Sequence, residues 1–160
     1  MTEQAEWDFL APEEKIRWAW LAGIIDGEGG IWIDSPRMGI AYDSLRLVVE
    51  MGDRRTIQEL KRISNVGRIY ETPPSGRRKR SFRWETAGRQ AASVLRTCLP
   101  VLVTKKAEAE IALAFALRQS LYITGKSVPP YERERRRALS EALKILHSKG
   151  RRPPQSNDSL

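Results

Sequence analysis

Apolar and polar residues alternate along this chain with two different periods, one typical of helices and one typical of strands. The helical period appears first, in a nearly all-apolar segment that begins with Pro12 and two glutamates, as helix starts often do. Segments with the two-residue period of strands follow, and the helical period then returns. The pattern predicts helices at 12–26, 54–63, 89–99, 104–121 and 131–148, and strands at 30–34, 44–51, 67–72 and 81–86.

The order of these elements is helix, two strands, helix, two strands and then helices. Two such hairpins form one four-stranded antiparallel sheet whose apolar side faces the helices. The chain has 160 residues, 41% of them hydrophobic, which is enough for one core. We therefore expect an α+β protein with a single domain over residues 1–148 and helices on one face of the sheet. Residues 149–160 have almost no apolar side chains and are expected to form a disordered basic tail.

The net charge and the aromatic content of the chain indicate what kind of partner it binds. The formal net charge is +8, which points to a polyanion, and five Trp and four Tyr argue against a merely disordered basic chain. Cys98 is the only cysteine and lies in an apolar stretch, so we expect a buried thiol and no disulfide. No segment resembles a signal peptide or a membrane span. We expect an intracellular protein without a membrane partner, from a bacterial cytoplasm or from an organelle such as a chloroplast or mitochondrion.

The stretch WLAGIIDGEGGIWI places Asp26 and Glu28 among glycines where a helix changes to a strand. A phosphate-binding loop is excluded because its glycines would precede a helix, and an EF-hand is excluded because Arg37 occupies loop position 12. Two interpretations stay open from the residues alone. The stretch is a solvated turn, or Glu28 is one half of a divalent-metal site that offsets its charge at the negative end of the helix.

The same stretch contains LAGIIDGEG, Leu21 to Gly29, which resembles the nine-residue motif of the LAGLIDADG homing endonucleases. The segment LPVLVTKKAEAE resembles the part of that family in which a lysine opens the helix after the fourth strand, and Lys105 matches this lysine best. The family order α-β-β-α-β-β-α agrees with the order predicted above, over residues 13 to 120. The resemblance therefore implies the LAGLIDADG fold, with a saddle-shaped four-stranded sheet.

The single motif implies the homodimeric type of this family, in which two motif helices cross. Ala19, Gly23 and Gly27 recur every fourth residue and give the helix a stripe without bulk, where a second helix backbone can approach closely. The interface predicted on this basis consists of Ala19, Ala22, Gly23, Asp26 and Gly27.

The resemblance also implies the chemistry of the site. Glu28, with the carbonyl of Gly27, would hold Mg²⁺, with Mn²⁺ as a substitute and Ca²⁺ permitting binding without cleavage. Lys105 would stabilise charge on the phosphate or orient the attacking water, while Asp26 would be structural. The family often has a polar, water-ordering residue near the end of the second strand, where this chain has Met51; Glu50 or Arg55 are candidate replacements.

The polar side of the predicted sheet is suited to double-stranded DNA, because a two-stranded ribbon fits the major groove. Positively charged residues also cluster in the turn between the third and fourth strands, where they either contact phosphates or form a solvated loop. The predicted DNA-binding residues are Trp32, Asp34, Arg37, Tyr42, Ser44, Arg46, Arg68, Tyr70 and Arg83 on the sheet, and Arg77, Arg78, Lys79 and Arg80 in the turn.

The implied function is that of a site-specific homing endonuclease. It would bind a long pseudo-palindromic site in double-stranded DNA and hydrolyse both strands, and its biological role would be intron mobility. One alternative is a catalytically weak or inactive relative that acts as a maturase or DNA-binding regulator, which the Met51 departure favours. A second alternative is a basic RNA-binding or ribosome-associated protein, which would need no dimer.

Overall fold

The helices and strands predicted from the apolar pattern all form, with ends within two residues of the predicted ones. The structure is a computed structural model that describes residues 3–34, 43–122 and 128–149. The predicted residues Arg37 and Tyr42, and residues 150–160 of the predicted tail, lie outside this described part. The elements are α1 (Glu3–Asp8), α2 (Pro12–Glu28), β1 (Gly29–Asp34), β2 (Ser44–Met51), α3 (Arg54–Ser64), β3 (Arg68–Thr72), β4 (Ser81–Ala87), α4 (Gly88–Cys98), α5 (Lys106–Ser120) and α6 (Pro130–Lys149).

The four strands form one antiparallel sheet in the order β1-β2-β4-β3, which confirms the predicted α+β class. Ile31 pairs with Leu47, and Val49 pairs with Trp84, so the apolar positions of neighbouring strands lie on the same side. A shift of one residue would move this entire set to the other face. The alternation seen in the sequence therefore sets the register of the sheet.

The core lies between this apolar side of the sheet and the helices. Leu21 and Ile25 of α2, Leu60 of α3, Leu95 of α4 and Phe115 of α5 are fully buried there. The burial of Cys98 is confirmed, and burial raises the pKa of its thiol well above the ordinary range, so it stays protonated. Among the residues that the structure describes, no helix is both long and apolar enough to cross a membrane.

Helix α3 begins after its N-cap residue, Asp53. One oxygen of its carboxylate accepts hydrogen bonds from the backbone N of Thr56 (3.0 Å) and from its hydroxyl (2.6 Å). These bonds hold the pKa of Asp53 below its ordinary value. The cap therefore contributes stability above the ordinary carboxyl pKa and loses it as the pH falls through the lowered value.

Helices α5 and α6 are joined by a buried ionic cluster that the sequence pattern did not predict. Glu132 is 1% exposed, and its carboxylate lies 2.9 Å from Nη1 of Arg118 and 3.3 Å from Nε of Arg136. Arg136, on α6, is itself buried, so its guanidinium group lies inside the protein and does not face solvent. The cluster fixes α6 along α5, and α6 in turn lies beside the edge strand β1.

We expect Glu132→Ala to destabilise the protein by about 3 kcal/mol, because it leaves the buried Arg136 without its counter-charge. Urea unfolding measures this free energy. The matched control is Glu141→Ala on the same helix, whose ion pair with Lys144 is exposed and is therefore expected to contribute little to stability. Equal losses in the two variants would contradict a stabilising role for the buried cluster.

Candidate nucleic-acid interface and active site

The junction between α2 and β1 presents a carboxylate at the end of a helix. Glu28 is the last residue of α2, rather than the first residue after it, and its side chain is exposed. The chain turns sharply at Gly29, where a Cβ atom would lie 2.5 Å from the carbonyl oxygen of Ile25. The last carbonyl groups of a helix have no intrahelical partners, and Gly27 contributes one of them beside Glu28. Consecutive residues at the negative end of this helix therefore provide a carboxylate and a backbone carbonyl, both of them hard oxygen donors.

Asp26 ties this junction to the segment before α5. Its two carboxylate oxygens accept hydrogen bonds from the backbone N of Val103 and of Lys105, both at 2.9 Å. Both oxygens are thus used within the chain, which agrees with the structural role expected for this residue. Lys105, the N-cap of α5, is consequently held next to the end of α2 by its own backbone.

The side chain of Lys105 has an acidic neighbour. Its Nζ lies 3.8 Å from Oε2 of Glu108, and its side chain is 20% exposed. The same oxygen of Glu108 lies 3.6 Å from Nε2 of His147 on α6. The ring of His147 packs against the ring of Trp32 on β1, with 4.6 Å between the ring centroids. A continuous set of contacts therefore connects β1, α6 and the lysine at the start of α5.

One face of α2 is not covered by any residue that the structure describes. Ala19, Gly23 and Gly27 are exposed, and a Cβ atom built on either glycine would meet nothing within 4 Å. Ile16 is 71% exposed and Trp20 is 39% exposed on the same helix. The prediction of Ala22 as an interface residue is wrong, because Ala22 is 1% exposed and packs in the core with Leu21. The exposed stripe therefore consists of residues 19, 23 and 27.

The sheet face opposite the core carries polar and aromatic side chains. Trp32 pairs with Arg46, Asp34 pairs with Ser44, and Tyr70 pairs with Arg83 across the strands. These pairs share a face, as does Arg68, which pairs with Glu85. Every described sheet residue that the sequence predicted for DNA contact therefore lies on this exposed face: Trp32, Asp34, Ser44, Arg46, Arg68, Tyr70 and Arg83.

Acidic residues hold the arginines of this face in place. Arg46 donates from Nη2 to Oδ1 of Asp34 (3.1 Å) and lies 3.7 Å from Glu85. Arg83 also approaches Glu85, at 3.5 Å, and stacks over the ring of Tyr70 at 5.1 Å. Glu85 was not predicted as part of this face, although the alternation of β4 places it beside Arg83 and opposite the buried Trp84. The arginines are therefore preorganised, whereas the carboxylate of Asp34 is already engaged.

The turn between β3 and β4 is exposed and basic. Two of its cations have acidic partners: Arg78 lies 3.5 Å from Glu50, and Arg80 lies 3.4 Å from Glu71. Arg77 and Lys79 make no ion pair within the described part of the chain. The turn therefore offers two unneutralised charges at its tip and two that are partly neutralised.

Met51 ends β2 on the side of the core. It pairs with Phe82 and packs against the core cluster. Glu50 points to the opposite face, where its carboxylate accepts a hydrogen bond from the hydroxyl of Ser81 at 2.6 Å. Arg55 lies in the first turn of α3 and is exposed. Of the two candidate replacements for a polar residue at position 51, Glu50 is thus already engaged on the other face.

No protein-family model matches the sequence, and no curated protein is significantly similar to it. Solved structures are similar in fold. The homing endonuclease I-CvuI, in complex with the I-CreI target and 2 mM Mg, has a TM-score of 0.70 at 19% identity, over 88% of both chains. The archaeal intron-encoded homing endonuclease I-Vdi141I, complexed with DNA, has a TM-score of 0.68 at 17% identity, over 87% of this chain and 89% of that one.

The LAGLIDADG meganuclease I-AabMI, bound to uncleaved DNA, is similar over 79% of this chain and 44% of its own, with a TM-score of 0.62 and 20% identity. The chain thus spans most of I-CvuI and I-Vdi141I but less than half of I-AabMI. The chain has the fold of the LAGLIDADG homing endonucleases.

Proposed function

We propose that this protein is a homodimeric, site-specific endonuclease that uses a divalent metal ion to hydrolyse both strands of a long pseudo-palindromic DNA site. Its biological role would be intron homing. The observation that carries the proposal is the exposed Glu28 at the end of α2, with Lys105 tied beside it through Asp26. The structural neighbours named above were solved with DNA, and I-CvuI was solved with Mg as well.

The donors at the end of α2 fit Mg²⁺. A carboxylate and a backbone carbonyl are hard oxygen ligands, and Mg²⁺ commonly takes only one or two protein carboxylates while water and phosphate oxygens complete its shell. Within the described residues no group of three or more acidic, histidine or cysteine side chains forms a closed metal cage. Glu28 and the carbonyl of Gly27 would therefore hold the ion at an open site. When bound, the ion supplies charge stabilisation at the phosphate and an activated water.

The unpartnered face of α2 supports the homodimer. None of the described residues requires Gly23 or Gly27 to be glycine, since a Cβ atom at either position meets none of their atoms within 4 Å. Because these residues lack side-chain bulk, the backbone of a second helix could pack closely against them. The exposed Ile16 and Trp20 would then be covered by that helix. A twofold crossing of two α2 helices would bring the two Glu28 carboxylates toward one point, one for each strand of a duplex.

The chain's own residues then have separate tasks. The exposed sheet face would lie in the major groove, where the prearranged Arg46 and Arg83 present guanidinium donors to base edges. Lys105, whose backbone is held next to the end of α2, would stabilise charge that develops on the phosphate. Asp26 positions this lysine through its backbone and touches no substrate.

The basic turn yields a prediction about salt. If Arg77 and Lys79 contact phosphates, Arg77→Ala or Lys79→Ala should each lower the slope of log affinity against log salt concentration by about 0.9. Fluorescence anisotropy over a salt series measures this slope. Arg62→Ala is the control, since Arg62 pairs with Glu59 on α3, behind the sheet. An unchanged slope in both turn variants would mean that the turn is a solvated loop.

The proposed function is tested by incubating the protein with Mg²⁺ and a plasmid carrying the uninterrupted form of its host gene. We expect one double-strand cut near the intron insertion site, and binding without cutting when Ca²⁺ replaces Mg²⁺. Binding without cutting in Mg²⁺ or Mn²⁺ would favour the alternative, a maturase or DNA-binding regulator, which is consistent with the apolar Met51 at the end of β2. No binding to any part of that gene would contradict both.

A further inference from the structure

Glu108 lies in the first turn of α5, three residues after Lys105, and its carboxylate is almost enclosed. Its side chain is 15% exposed, and Oε2 is buried without a hydrogen bond to any described residue. The groups that face this oxygen at ion-pair distance are Nζ of Lys105, at 3.8 Å, and Nε2 of His147, at 3.6 Å. We propose that Glu108 is a positioning residue that holds the ammonium group of Lys105 for cleavage; this inference rests on the function proposed above.

The burial of Glu108 is not explained by the helix alone. An acidic side chain in the first turn of a helix is stabilised by the helix dipole even when it points into solvent. A carboxylate oxygen that is buried without a hydrogen bond instead costs free energy, which cationic neighbours must offset. Glu110 on the same helix is exposed, so α5 does not force its acids inward. The ammonium group of Lys105 and the imidazole of His147 are therefore the neighbours toward which Glu108 turns inward.

The distance between the Lys105 ammonium group and the Glu108 carboxylate suits a positioning role. At 3.8 Å the ammonium group is attracted to the carboxylate, but this distance exceeds that of a hydrogen bond, so its three N–H donors remain available for a phosphate. A lysine side chain is flexible, and holding it before substrate arrives lowers the entropy cost of placing its charge. Glu108 therefore limits the positions of the Lys105 ammonium group without accepting a hydrogen bond from it.

Glu108 is also contacted by His147, which packs against the sheet. The imidazole of His147 faces Oε2 of Glu108 and packs on Trp32 of the exposed sheet face. The other charged residues that line the cleft around His147 are Asp34 on β1 and Lys144 on α6. Glu108 is thus held between α6 and the start of α5, and its position depends on elements that flank the sheet face and the end of α2.

The test is Glu108→Gln, which removes the charge and keeps the shape. We expect a single-turnover cleavage rate about tenfold lower, with unchanged affinity for the DNA in Ca²⁺. Glu108→Asp keeps the charge and should recover part of the rate. The matched control is Glu110→Gln, an identical change at an exposed position two residues away, which should cut like the unmodified protein.

A second readout does not depend on cleavage. His147 is the only histidine in the sequence, so its imidazole NMR signals are unambiguous, and they should move in Glu108→Gln but not in Glu110→Gln. Unmoved signals, or equal cleavage rates in the two variants, would overturn the inference while leaving the endonuclease function intact. An equal loss of rate and affinity, unrecovered by Glu108→Asp, would assign Glu108 a structural role. Absence of cleavage in the unmodified protein would instead overturn the proposed function, and this inference with it.

Discussion

Glu28→Gln is expected to abolish DNA cleavage, lowering the rate by about 10³-fold or more, which is about 4 kcal/mol, while leaving the affinity for DNA in place. The amide keeps the shape of the side chain but loses the charge that would hold Mg²⁺ at the end of α2. DNA contacts lie on the sheet face and in the basic turn in this proposal, so binding should not depend on this carboxylate. Single-turnover cleavage and a gel-shift titration on the same duplex measure the two quantities.

The variant should not lose stability. A negative charge at the C-terminal end of a helix is unfavourable, so its removal is expected to leave the free energy of unfolding unchanged or slightly higher. Glu13→Gln makes the same change at the exposed start of α2, where a negative charge is favourable, and should cut normally. Cleavage by Glu28→Gln at the rate of Glu13→Gln would remove Glu28 from the active site.

Gly23→Leu is expected to separate the two chains of the proposed dimer and to abolish double-strand cutting with it. Bulk inserted into a close-packed contact costs about 1 to 3 kcal/mol, and a twofold interface contains the substitution twice. The protomer itself should fold, because a side chain at this position meets open space and leucine favours a helix more than glycine does. Sedimentation velocity over a range of protein concentrations measures the dissociation.

Ala114→Leu is the matched control for added bulk. Ala114 is exposed on α5, away from the stripe on α2, and its variant should sediment like the unmodified protein. A dimer that persists unchanged in Gly23→Leu would exclude the proposed crossing at residues 19, 23 and 27. An unmodified protein that stays monomeric even on DNA would exclude the homodimer altogether.

Secondary structure and register were predictable because they repeat along the sequence. Leu45, Leu47 and Val49 share one face of β2, and a strand with one buried face has only one register that keeps such a set together. The helix α1 was missed because its six residues are too few to show a helical period. Most of the secondary structure and the strand register could therefore be predicted from the local pattern of apolar residues.

The candidate site was predictable only in part. The stripe at residues 19, 23 and 27 follows from helical spacing. Ala22 was added to the predicted interface wrongly, because it lies about 100° around the helix from Gly23 and its side chain faces the core. Asp26 was expected to be structural, yet its partners Val103 and Lys105 lie far along the chain, and no local pattern identifies them. Glu108 was missed for the same reason, since His147 reaches it from another helix.

The arginines of the exposed sheet face share their acidic neighbours, and this matters for any attempt to change the DNA sequence that the proposed endonuclease recognises. Glu85 approaches both Arg46 and Arg83, while Asp34 engages Arg46 as well. Substituting one of these side chains changes the electrostatic surroundings of the others, so the effects of single substitutions will not add. If this face reads DNA bases as proposed, libraries that alter base preference would have to randomise this group jointly, acids included, because selection one position at a time would miss most working combinations.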